Sequence, residues 1–146
     1  MNAPGRPIEI LLVEDNPGDV ELTERALRAA EISNHLTVAS YGADALAQLR
    51  SVPGEAFGLP QLILLDLYLP DMSGFDFLAS LKADARLRRI PVVVMTSSET
   101  EADVVRSYDL QASGYVTKPF DPADFARAVL GVEYYWHSVV RLPASS

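Results

Sequence analysis

"ILLVEDNP", residues Ile10 to Pro17, ends an apolar run on two adjacent carboxylates. The run, Ile10 to Val13, has no polar member, so it can be buried on both faces of a sheet, as strands of a parallel sheet are. Glu14 and Asp15 follow at once, and Asn16 and Pro17 turn the chain. Neighbouring like charges repel, and partial burial raises the cost. Adjacent acids at a strand end are ordinarily a solvated turn. The rest of the chain supplies a better reason for them.

Outward from this stretch, the same run reaches back to Ile8, and two more of its kind stand at Leu62 to Leu65 and Pro91 to Met95. Leu36 to Ala39 and Gly114 to Thr117 are weaker strand candidates, carried by β-branched residues or Tyr. Amphipathic segments fill the intervals: Gly18 to Ala30, Gly42 to Arg50, Ser73 to Ala83, Glu99 to Tyr108, and Pro122 to about Val140. In the first, Val20, Leu27 and Ala30 share a stripe with Thr23 or Glu24 as its polar break; in the third, Phe75, Leu78 and Leu81 are apolar. Asp121 before Pro122 reads as an N-cap followed by a proline at the first helical position.

Strand then helix, five times over, predicts an α/β fold with a doubly wound, five-stranded parallel sheet between helices. Ser51 to Pro60, with two Pro and two Gly, reads as a loop rather than a linker. One domain is therefore expected to fill residues 1–146, with 131–146 a C-terminal extension of the last helix and tail.

Composition narrows the function. Hydrophobic residues make up 49% and charged residues 22%, an ordinary globular balance. The absence of cysteine excludes disulfides, thiolate metal sites and cysteine nucleophiles. A net charge of −8 repels nucleic-acid phosphates and anionic membranes, so neither is expected as a direct partner. The N-terminal apolar run stops at Glu14, too short for a signal peptide, and no stretch approaches the ~20 residues that span a bilayer. A soluble, cytoplasmic protein is expected.

In an open parallel sheet, ligands bind beyond the carboxyl ends of the strands. Those ends carry Glu14 and Asp15, then Asp66, Thr96 and Lys118. Three acids, a hydroxyl and an amine from four strands converge on one edge. Carboxylates this close are strained unless a cation neutralises them, and an oxygen-only set without His or Cys selects a hard ion such as Mg²⁺. A hydroxyl and an ammonium opposite can hold the oxygens of a phosphoryl group. Asp66, the central carboxylate, is then placed to act as a nucleophile toward phosphorus.

Glu14-Asp15, Asp66 in "LLDLYLPDMSG", Thr96 in "VVVMTSS" and Lys118 in "GYVTKPF" together resemble a response-regulator receiver domain. The resemblance runs from Ile8 to about Leu130, with every motif in order, and it implies a flavodoxin-like strand order of 2-1-3-4-5. More narrowly, "VEDNPGDVELTERAL" and "YYWHSVVRLP" resemble single-domain regulators that serve bacterial phytochrome kinases. The family implies that Asp66 accepts a phosphoryl group from a kinase phosphohistidine. Asp15 and Asp66 would bind Mg²⁺ with the main-chain carbonyl of Tyr68, and Glu14 would act through water. Lys118 would pair with the carboxylate or phosphoryl group, before a cis bond to Pro119. Thr96 would move toward the phosphoryl oxygens and Tyr115 would swing into the space left, as the switch. Such a protein catalyses only its own phosphorylation and dephosphorylation.

Two other classes share parts of this pattern. A haloacid-dehalogenase-type phosphatase also uses an aspartate and Mg²⁺, but wants a second acid two residues later, where Tyr68 stands. A flavodoxin-like flavin binder needs a phosphate cradle after the first strand, where "EDNPGD" would repel phosphate. A receiver used only as a scaffold would lack a signature residue, and none is missing. The histidines, His35 and His137, read as surface or packing residues. Tyr68 and Ser98, two residues after Asp66 and Thr96, flank the path of an attacking water; the bulk of Tyr68 predicts slow loss of phosphate.

The last helix carries more apolar surface than a sheet edge needs. Phe125, Val129, Val132, Trp136 and Val139 recur at four, three, four and three, beside a second stripe of Ala126, Leu130 and Tyr134. Val132, Tyr135, Trp136 and Val139 are therefore expected to form a partner surface, most simply a homodimer contact. Without an effector domain in the sequence, output is expected through binding.

Overall fold

The computed structural model describes residues 7–52, 58–97, 100–118 and 121–134. Five strands alternate with five helices: β1 (Ile8–Val13), α1 (Pro17–Ala29), β2 (Asn34–Ala39), α2 (Gly42–Ser51), β3 (Leu62–Leu65), α3 (Gly74–Ala83), β4 (Val92–Thr96), α4 (Glu101–Asp109), β5 (Gly114–Thr117) and α5 (Pro122–Tyr134). All pairings are parallel, in the order β2-β1-β3-β4-β5. The fold is the doubly wound one expected, and the order is the one that the family resemblance implied.

The pleat divides the strands between two cores. Leu11, Val13, Ile63, Leu65, Val92 and Val94 pack against α2 and α3 through Ala45, Leu46, Leu49, Leu78 and Leu81. Ile10, Leu12, Leu62, Leu64, Val93 and Met95 face the other way, onto Leu27 of α1 and Phe125 and Val129 of α5. Both faces are covered, which is why the central strands read as unbroken apolar runs. Burying each such side chain stabilises the fold by about 1.5–3 kcal/mol relative to its exposure. β2 stands at the sheet edge with only Ala39 fully buried, so its sequence signal was weak.

The boundaries shift by a residue or two from those expected. Pro17 is already helical, because Asn16 caps α1: its Oδ1 accepts the Asp19 N–H at 3.1 Å. Thr23 is wholly buried and satisfies its hydroxyl on the Asp19 carbonyl at 2.9 Å, which explains a polar residue within the α1 stripe. Ser73 caps α3 rather than opening it. Thr96 closes β4 rather than following it. No helix among the described residues is long and apolar enough to cross a membrane.

Candidate functional site

The parallel ladder itself carries the chemistry-bearing residues to one edge. Beyond β1, the Glu14 N–H donates to the Ala39 carbonyl at 3.0 Å. Beyond β3, the Asp66 N–H donates to the Val13 carbonyl at 3.1 Å, and beyond β5 the Lys118 N–H donates to the Thr96 carbonyl at 2.7 Å. Each functional backbone is thus pinned by the next rung after the strand ends. The turn after Asp66 is tightened by a Tyr68–Ser73 bridge and by the Gly74 N–H on the Leu67 carbonyl at 2.8 Å. A Cβ at position 74 would lie 2.5 Å from the Leu67 Cα and 2.7 Å from the Asp66 carbonyl oxygen, so only glycine lets α3 start this close.

Glu14, Asp15 and Asp66 each bring one carboxylate oxygen to within 4.8 Å of the other two. The adjacent acids differ in setting: Glu14 is 1% exposed, whereas Asp15 faces solvent. Burial pushes the Glu14 carboxyl up to about 7; the Lys118 hydrogen bond opposes this and the Asp66 charge adds to it. Lys118 is the ammonium in the middle, with its side chain 8% exposed. It bonds Glu14 Oε1, lies 2.9 Å from Asp19 Oδ2, and stands 3.6 Å from Asp66 Oδ2. Burial would lower its pKa, but the hydrogen bonds of Glu14 and Asp19 and the Asp66 and Glu14 charges outweigh that and hold it above the usual lysine value.

One ammonium cannot neutralise Glu14, Asp15, Asp19 and Asp66. The surplus of negative charge and the oxygen-only donors fit a hard divalent cation. Asp66, Asp19, Leu22, Tyr68, Ser97 and Lys118 line a cleft of about 260 Å³ over this cluster. Thr96 is fully buried at the end of β4. The Tyr68 N–H donates to Asp66 Oδ1 at 3.3 Å, and its hydroxyl reaches Asp103 Oδ2 on α4 at 3.3 Å. Tyr115 is half-buried against the core on the α2–α3 side and does not line the cleft.

The structure therefore brings together Glu14, Asp15, Asp66 and Lys118 from the strand ends, with Tyr68, which the family resemblance implied; Thr96 is tied to Lys118 through its carbonyl, and its buried side chain does not line the cleft. The sequence reading missed Asp19 and Ser97. An acid in the first turn of a helix also answers the helix dipole, so Asp19 carried no signal of its own. His35 pairs with Glu9 on the surface, 2.8 Å away, as a surface residue should. Ser98, Pro119, Tyr135, Trp136, His137 and Val139, and the Val132 side chain, lie outside the described residues.

Comparison with known proteins gives a consistent picture. The response regulator receiver domain model matches residues 10–130. Response regulator Rcp1 of Synechocystis sp. (strain ATCC 27184 / PCC 6803 / Kazusa) is 41% identical over 141 residues, which are 95% of each chain. The crystal structure of the Mn(2+)-bound form of Rcp1 superposes with a TM-score of 0.73, over 94% of this chain and 99% of that one, at 41% identity. The phosphorylated cyanobacterial phytochrome response regulator RcpA superposes equally well, with a TM-score of 0.73 at 39% identity and the same 94% and 99% coverage.

Proposed function

The chain belongs to the response regulator receiver family, and on that premise we propose that Asp66 accepts a phosphoryl group from the phosphohistidine of a sensor kinase. Membership of this family sets aside the phosphatase and flavin-binding alternatives. The observation that carries the proposal is Asp66 itself: a carboxylate 7% exposed at the floor of a cleft, beside a buried ammonium and two further acids.

An Asp66 oxygen attacks phosphorus, and the new P–O bond replaces the P–N bond of the donor. The electron pair of that bond returns to the imidazole, which takes a proton from solvent. Lys118 faces the oxygens of the incoming group and answers their charge. A magnesium ion held by Asp15, Asp66 and the Tyr68 carbonyl, with Glu14 acting through water, would offset the charge of the carboxylates and phosphoryl oxygens. The Mn(2+)-bound form of Rcp1 supports a divalent ion as a ligand of this protein, and the cluster of Glu14, Asp15 and Asp66 supports its place at this edge. Thr96 then supplies its hydroxyl to a phosphoryl oxygen, and Tyr115 follows inward as the switch. Tyr68 shields the product from water. The protein turns over nothing beyond its own phosphorylation and dephosphorylation.

The likeness to RcpA supports a phytochrome-type histidine kinase as donor. A cytoplasmic location belongs to the same reading, and the net charge of −8 speaks against nucleic acid or an anionic membrane as partner. Pairing with a second copy through Val132, Tyr135, Trp136 and Val139 belongs to the same reading and rests on the sequence pattern. Phosphotransfer tests the donor directly. A phytochrome-type kinase labelled on its histidine should lose label to this protein within minutes in Mg²⁺, and the Asp66→Asn variant should receive none. Label that stays on every such kinase, while reaching this protein from an unrelated donor, would overturn the assignment of the donor.

A further inference from the structure

We propose that Asp19 is a positioning residue that draws Lys118 away from Asp66 and so raises the phosphodonor concentration the site requires. The inference rests on the phosphoryl-accepting role of Asp66. Three carboxylates face the Lys118 ammonium, and it does not share itself evenly among them. Glu14 and Asp19 accept hydrogen bonds from it, Asp19 at 2.9 Å, whereas Asp66 stands at 3.6 Å, beyond the range of a normal N–H···O bond. The resting ammonium is therefore committed to its neighbours on the β1–α1 side rather than to the nucleophile.

The two competitors differ in how easily they let go. The Glu14 side chain is fully enclosed, so bulk solvent does not reach it to take the place of the lysine. The Asp19 side chain is 34% exposed, so solvent can take over its hydrogen bond when Lys118 moves. Asp19 is held in place by its helix: Asn16 accepts its N–H and Thr23 donates to its carbonyl, leaving the carboxylate directed to the cleft it lines with Asp66 and Lys118. An anionic donor entering this cleft meets the Asp19 charge, and the phosphoryl oxygens of the bound donor must win Lys118 from it. Both effects act on donor binding more than on the step at phosphorus.

Acetyl phosphate is the probe, and uptake is followed by intact mass at several donor concentrations in Mg²⁺. Asp19→Asn should lower the half-saturating concentration about two- to fivefold, the scale of one partly exposed charge pair, with a smaller change in the saturating rate. High salt should narrow the gap between variant and wild type. Asp19→Ser, which removes the same charge at smaller volume, should follow Asp19→Asn, and Asp19→Glu should return the wild-type value. A half-saturating concentration unchanged or raised in Asp19→Asn, or lowered equally in Asp19→Glu, would overturn the role of Asp19. A wild type that takes up no phosphate would instead overturn the phosphoryl-accepting role of Asp66, and this inference with it.

Discussion

Glu14 and Asp15 are neighbours in the chain but belong to different environments. Glu14 is sealed against Lys118, while Asp15 faces solvent beside Asp66. Their repulsion, and that of Asp66, is a cost the fold carries until a cation arrives. Magnesium that binds only the native state should therefore raise the melting temperature, by an amount equivalent to about 2.7 kcal/mol when its concentration is a hundred times the dissociation constant. Asp15→Asn removes one donor and should abolish the rise; a magnesium response that survives this change would take Asp15 out of the metal site. These residues were legible because each stands where an apolar run stops, a position that only a strand end explains. Asp19 was not, because its neighbours in sequence already account for an acid there. What makes it part of the site is Lys118, ninety-nine residues away.

At the scale of elements, the loop between β3 and α3 does two jobs. It carries Tyr68 to the cleft, and it caps a helix that it does not precede. The Asp71 carboxylate accepts the Gly42 N–H at 2.9 Å and the Ala43 N–H at 3.0 Å, at the start of α2, where Tyr41 offers no side-chain cap. The Ala43 bond, then the Gly42 bond, hold the Asp71 pKa below its ordinary 3.8. A carboxylate with a depressed folded pKa stabilises the fold above its unfolded pKa and loses that contribution as pH falls through the folded value. Asp71→Ala should thus lower the melting temperature at pH 7, with the difference from wild type shrinking below about pH 3.8. A difference independent of pH would mean that the cap does not act through its charge. Long-range caps of this kind leave no local signature: "LPDMSG" reads as a turn, and "YGADAL" as a helix without its cap. Edge position had a similar effect on β2, whose half-exposed residues weaken the pattern that the central strands display.

For the molecule as a whole, a sheet covered on both faces leaves its carboxyl edge as the place where polar chemistry can collect. Parallel pairing aligns Val13 with Leu65 and Thr96 with Thr117, so residues from four strands meet without a long loop. Fold class and the main site residues were readable for that reason, since both follow from where apolar runs begin and end. Strand order was not: five similar units can be wound in several orders, and 2-1-3-4-5 came from family resemblance. On our reading, this edge makes Asp66 a phosphoryl acceptor. Intact-protein mass spectrometry after incubation with acetyl phosphate tests it most directly. In Mg²⁺ the wild type should gain a single increment of about 80 Da, the mass of one phosphoryl group on an aspartate, and chelation of the metal or Asp66→Asn should abolish it. The same gain in Asp66→Asn would place the acceptor elsewhere and contradict the account.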